Sequence, residues 1–163
     1  MRCLERAWAG VLLAAALAAS VTVAAAQEST STPASAAEKP ALVVEGEGGR
    51  HTFQVEIADD QEEHARGLMF RRSMDRTAGM LFDFGDDKSV WFWMKNTYLP
   101  LDMLFIGEDR RVKYIARNTT PLSERTITPP EKVRYVLEIN AGVSAALGIN
   151  IGDAVSGPAV ETP

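Results

Sequence analysis

The sequence predicts a mainly β domain of α+β type: a compact antiparallel β-barrel or sandwich with two short capping helices. Three observations carry that expectation. Several short runs alternate apolar and polar side chains, the period of a half-buried strand. Gly, Asp, Asn and Pro punctuate these runs at turn positions. Helical signals are few and do not alternate with strands, so a repeated strand–helix unit is not expected.

The elements follow in order. LVVE and HTFQVEIA read as two strands joined through the turn at Gly46 to Gly49. In the second, His51, Phe53, Val55 and Ile57 share one face. Asp59 and Asp60 can cap a helix over QEEHARGLMF, with Glu62 and Glu63 in its first turn and Gly67 as its stop. RRSMDRTAG is polar and irregular. GMLFDF reads as a strand, and SVWFWMK as another after the GDDK turn. LDMLFI, GEDR and RVKYIAR form a hairpin pattern, and PLSERTITPP, with three prolines, a loop. KVRYVLEI alternates Val133, Tyr135, Leu137 and Ile139. Asn140 then caps a helix over AGVSAALG, closed by Gly148, and INIGDAV supplies a turn and a last strand.

The N-terminus carries a different signal. Arg2 and Arg6 precede an Ala-rich apolar run that ends in Ala24-Ala25-Ala26. This is the pattern of a secretory signal peptide over residues 1–26, with cleavage before Gln27. A membrane anchor is the alternative, but the cleavage-like site argues against a stable span. Residues 27–40 are rich in Ser, Thr, Pro and Ala and read as a disordered linker. A single domain over 41–157 and a frayed tail over 158–163 complete the division. The expected location is the periplasm or the exterior.

Composition narrows the function. Cys3 is the one cysteine, and cleavage would leave no thiol for a disulfide, a nucleophile or a thiolate metal site. Removing Arg2, Arg6 and Glu5 leaves 15 basic and 21 acidic residues, a net charge of −6. A general nucleic-acid or anionic-membrane binder would need a basic excess instead. His51 and His64 are far apart and show neither HxH nor HExxH spacing, so no metal site is expected. No serine lies in a GxSxG context, and no glycine-rich phosphate loop follows a strand. No cofactor is expected, and a monomer is.

Five stretches carry a resemblance: RGLMFRRSM, GMLFDF, FWMKNTYLPLDMLFI, YVLEINAG and LGINIGD. In order and spacing they resemble the family called domain of unknown function 192, over nearly all of residues 41–155. WMKNT followed by PLD is the most specific part. The resemblance implies a small, mainly β fold, often exported in bacteria, and implies no reaction. In some members it also implies cysteines in the loop matching residues 121–130. Here that loop has none, so a metal or redox role does not carry over.

VWFWMKNTYLPLD poses the functional question. Its aromatics can simply pack a core. Lys95 and Asp102 border apolar runs, where a buried charge needs a partner, so they either pair or share a pocket with Asn96. Trp93 would line that pocket. Arg66 with Gly67 can bind an anionic group near a helix end, or Arg66 can pair with Glu62. Glu138 lies opposite Tyr135 and Leu137, facing either solvent or the same pocket. The favoured reading is an exported binding or accessory module. An aromatic-lined pocket would hold a small polar or anionic ligand, or part of a periplasmic protein, with Asp102 orienting Lys95. The alternatives are a hydrolase or other enzyme with Lys95 and Asp102 as acid and base, and an interaction domain using a sheet edge.

Overall fold

The computed structural model describes residues 39–161. The signal-peptide reading and most of the linker reading therefore fall outside the described residues. Among the described residues ten elements follow one another: β1 (Ala41–Gly46), β2 (Gly49–Ala58), α1 (Gln61–Arg66), β3 (Ala78–Lys88), β4 (Leu101–Ile106), β5 (Val112–Ala116), β6 (Val133–Asn140), α2 (Val143–Ala146), β7 (Ala154–Ser156) and α3 (Pro158–Glu161). The seven strands form one sheet in the order β5-β4-β6-β3-β2-β1-β7. The fold is mainly β, as the alternating runs predict.

The sheet is a curled half-barrel rather than a flat layer. The starts of its two edge strands, β5 and β7, meet through backbone contacts. Val112 N–H donates to Asp153 O at 3.0 Å and Val155 N–H to Arg110 O at 2.8 Å. Every strand pair is antiparallel except β2–β3, which is parallel. The expected all-antiparallel arrangement is corrected at that one pair. A parallel neighbour needs a crossover rather than a hairpin, and the connection between β2 and β3 carries α1.

Both faces of the central strands are buried. Leu81, Leu104, Leu137 and Ile139 join Leu42, Phe53 and Val55 in one cluster. Met80, Phe82, Met103 and Phe105 join Leu68, Val90 and Met94 in another on the opposite face. This explains why LDMLFI is apolar at every position but Asp102: all six residues of β4 are buried. Each such Leu or Phe contributes roughly 2–3 kcal/mol.

Three local expectations are corrected. SVWFWMK is not a sheet strand; Phe92 makes only an isolated bridge to Ile127. The segment is a strap lying over the second cluster, with Val90 and Met94 inward and Trp91 outward. Helix α2 is capped by Gly142, whose φ is 79°, and not by Asn140. Asn140 instead donates through Nδ2 to Met74 O and Asp75 O, both at 3.0 Å. The tail from Pro158 does not fray over 158–161: it forms α3, with Ala159 and Val160 buried. The two apolar side chains of this single turn are enough to dock it on β1 and β7.

Candidate functional site

Two segments meet over the second face of the sheet. The first is α1 and the turn after it. Asp60 caps the helix, its carboxylate accepting from Glu63 N–H at 2.8 Å. The helix stops at Gly67, whose φ of 44° suits a residue without a Cβ. A Cβ there would sit 3.1 Å from the Phe82 ring, so glycine also lets the backbone lie directly on β3. Arg66 is exposed, and its side chain makes no hydrogen bond or ion pair among the described residues. The expected pairing with Glu62 is not formed.

The second segment is the strap. Trp91 and Trp93 meet edge to face with centroids 5.7 Å apart, and both reach solvent. Lys95 Nζ stands 4.9 Å from the Trp93 ring centroid and 3.9 Å from the Glu124 carboxylate. Asn96 takes the left-handed conformation, φ 56°, which Asn tolerates well. Its carbonyl accepts from Phe70 N–H at 2.8 Å, and its Nδ2 donates towards Met69 Sδ at 3.7 Å. Asn96 is therefore turn chemistry that ties the strap to the segment after α1.

Between the two segments lies a small cavity of about 30 Å³, lined by Arg66, Gly67, Phe82, Trp93, Thr97 and Glu138. It adjoins an apolar groove of about 360 Å³ lined by Phe84, Val90, Trp91, Phe92 and Trp93. His64, Ala65, Phe92 and Trp93 belong to both.

Glu138 is the unusual member. Its β6 position pairs with Met80 on one side and Met103 on the other, so it belongs to the covered face. Its side chain has no hydrogen-bond or ion-pair partner among the described residues, and the residue is 5% exposed. Among the described residues, every side-chain oxygen or nitrogen that is sealed from solvent does have a partner. The unbonded carboxyl therefore opens onto the cavity. Burial alone pushes it up to about 8. The solvent-facing reading of Glu138 is corrected. The face is the expected one, but the strap and the turn after α1 cover it.

Asp102 belongs elsewhere. It pairs with Ile139, the neighbour of Glu138, and so lies on the other face of the sheet. Its carboxylate accepts from Asn118 N–H at 2.8 Å, Ser144 N–H at 3.0 Å and Ser144 Oγ–H at 2.7 Å. Three donors satisfy a fully buried group, which pins β4 to α2 and to the end of β5. Asp102 neither pairs with nor orients Lys95, whose carboxylate neighbour is Glu124.

Of the seven sequence-derived candidates, four come together: Arg66, Gly67, Trp93 and Glu138 line one cavity. Lys95 and Asn96 flank it on the strap, and Asp102 is structural. Thr97 and His64 were missed. Thr97 is buried, and its hydroxyl donates to Lys95 O at 3.2 Å. His64 bonds Ala58 O at 3.0 Å through Nε2 and rests against Phe84 with ring centroids 4.5 Å apart. Among the described residues no three His, Cys, Asp or Glu side chains are placed to hold a metal ion.

Comparison with known proteins now bears on this geometry. The model of the domain of unknown function 192 family, described as "Uncharacterized ACR", matches residues 42–157. The chain belongs to that family. A crystal structure of a protein of unknown function from Novosphingobium aromaticivorans DSM 12444 is 43% identical, with a TM-score of 0.70. That match covers 71% of this chain and 83% of the other. A Sinorhizobium meliloti 1021 protein, described as a suggested transcription regulator, is 45% identical with a TM-score of 0.71. Here the match covers 74% of this chain and 94% of the other. No curated protein matches the chain.

Proposed function

We propose that this member of the family is an exported binding module whose groove beneath Trp93 holds a small ligand with an apolar body and a polar head. One observation carries the reading: a buried carboxyl, Glu138, faces a cavity with no partner of its own. The carboxyl opens onto the cavity, so a group entering there can bond it, and an acid this deeply buried is rare unless paired. A ligand that supplies the missing partner accounts for its presence. The adjoining groove, lined by Trp91, Phe92 and Trp93, offers apolar surface for the rest of such a molecule. Arg66, at the rim and without a side-chain partner among the described residues, is available to a polar or anionic substituent. Export rests on Arg2, Arg6, the Ala-rich run and the Ala24–Ala26 site.

The alternatives lose their supports. An acid–base pair of Lys95 and Asp102 needs the two groups together, and Asp102 is fully engaged on the far face of the sheet. Docking through a sheet edge needs a free strand, whereas β7 is three residues long and its end meets that of β5.

The test uses tryptophan fluorescence. After removal of residues 1–26, Trp91 and Trp93 are the remaining tryptophans, so emission reports on the groove alone. A small-molecule library should contain compounds that change this emission saturably and lose the effect in Trp93→Ala. A library in which no compound does so would reject the reading.

A further inference from the structure

We infer that the cavity at Glu138 receives a primary ammonium group, so that the ligand of the groove is an amine with an apolar or aromatic body. The inference rests on the binding reading above and names the chemical class of its ligand.

The donor that Glu138 lacks cannot come from the protein as arranged. Its strand neighbours Met80 and Met103 have no polar hydrogen. Phe82, Phe92 and Leu68 supply the apolar wall, and the Trp93 indole N–H makes no hydrogen bond to the carboxyl among the described residues. The Thr97 hydroxyl is spent on Lys95 O, and His64 Nε2 is engaged at Ala58 O. Arg66 lines the cavity but makes no bond to the carboxyl, and the rise of Glu138 has burial as its cause with no contribution from Arg66.

The available space sets the size of the head group. About 30 Å³ admits roughly one or two water-sized groups, the scale of an ammonium or a hydroxyl. An ammonium brings three donors and the charge that lets a buried carboxylate stay ionised. A hydroxyl brings one donor and no charge. A carboxylate or phosphate brings acceptors only, and its charge opposes the ionisation of Glu138. The aromatic wall decides further for a cation, because ring faces attract one. Trp93 already holds the ammonium of Lys95 at 4.9 Å.

Binding then exchanges a proton for a cation. Below the titration of Glu138 the carboxyl loses its proton to solvent as the ammonium enters, one proton per amine. Affinity should rise about tenfold per pH unit through the neutral range and level off above about pH 8. Among the described residues the other titratable or charged groups at the cavity are His64 and Arg66 of α1, with Lys95 of the strap beside it over Trp93 and paired to Glu124; β3 and β4 contribute none there.

The experiment is a tryptophan-fluorescence titration of the chain from Gln27 with three probes of one shape: phenethylamine, 2-phenylethanol and phenylacetate. Each is measured from about pH 6 to pH 9. The amine should bind about tenfold or more tighter than the alcohol at pH 8, with the stated pH slope, and phenylacetate weakest. Glu138→Gln should remove the slope and weaken amine binding about tenfold or more, whereas His64→Gln should keep the slope. Amine and alcohol binding equally with no pH dependence, or a slope that survives Glu138→Gln, would overturn the amine assignment and leave the groove standing. No response to any probe, or to the wider library, would overturn both.

Discussion

Replacing Glu138 by Gln removes one ionisable group and leaves the shape of the side chain nearly unchanged, so its effect on stability can be worked out. Burial raises this carboxyl from 4.5 to about 8. A gap of about 3.5 units at about 1.4 kcal/mol each corresponds to roughly 5 kcal/mol. The folded protein holds the proton, and above pH 4.5 the unfolded chain releases it. The unfolded state then binds fewer protons, so stability falls as pH rises. The loss is absent below 4.5, amounts to about 3 kcal/mol at pH 7, and is complete above about 8. The variant cannot titrate there. Its buried amide costs about 1–3 kcal/mol at every pH, because it too lacks a partner. Glu138→Gln should therefore be no more stable than the parent near pH 5 and more stable, by about 2 kcal/mol or more, near pH 8.5. Urea denaturation of both proteins at several pH values measures this, and the difference between them cancels the other titrating groups. A difference constant to about 0.5 kcal/mol across that range would mean that Glu138 does not titrate with a raised pKa in the folded protein.

Three further predictions address the frame around the site. Asp102→Ala strands two backbone N–H groups and Ser144 and should cost about 3 kcal/mol or more by denaturation, yet leave groove binding intact in the folded fraction. Glu56 is held at about 2 by Arg71, which bonds both carboxylate oxygens, and secondarily by Lys39. Its contribution is present above 4.5 and lost as pH falls towards 2; allowing for its partial exposure, Glu56→Gln should cost about 2 kcal/mol at pH 7 and little near pH 2.5. Gly79→Ala would place a Cβ 2.7 Å from the Glu138 carbonyl oxygen in the centre of the sheet, and a loss of about 2 kcal/mol in urea checks it.

Much of the fold was legible because most strands obey a local rule. The alternation in β2 and β6 and the turn residues between β1 and β2 report directly on pleat and hairpin. The parallel β2–β3 pair was not legible, since the crossover direction depends on packing of α1 and not on either strand. VWFWM misled for a related reason. Its inward Val90 and Met94 and outward Trp91 keep the period of two, but the backbone partners are Ile127 and Ser123 in a loop rather than a strand. Period reports an extended chain with two unlike sides, and a strap has that as surely as a strand.

The site divided along the same line. Arg66, Gly67, Trp93 and Glu138 stood out as chemistry bordering apolar runs, and they share a cavity. Asp102 stood out for the same reason and turned out to be a satisfied buried clamp. Sequence separates these cases poorly, because the partners of Asp102 are two backbone N–H groups and Ser144, distant along the chain and without charge. The exposure of Glu138 was misjudged because its cover comes from the strap and the turn after α1, two segments with no local signature of packing on β6.

The central claim is that the cavity and groove hold a ligand through Glu138. Native mass spectrometry of the protein, purified gently from the cells that make it, tests this most directly. The parent chain should carry a reproducible added mass that is lost in Glu138→Gln and in Trp93→Ala. A bare mass for the parent, or an added mass that survives both substitutions, would contradict it.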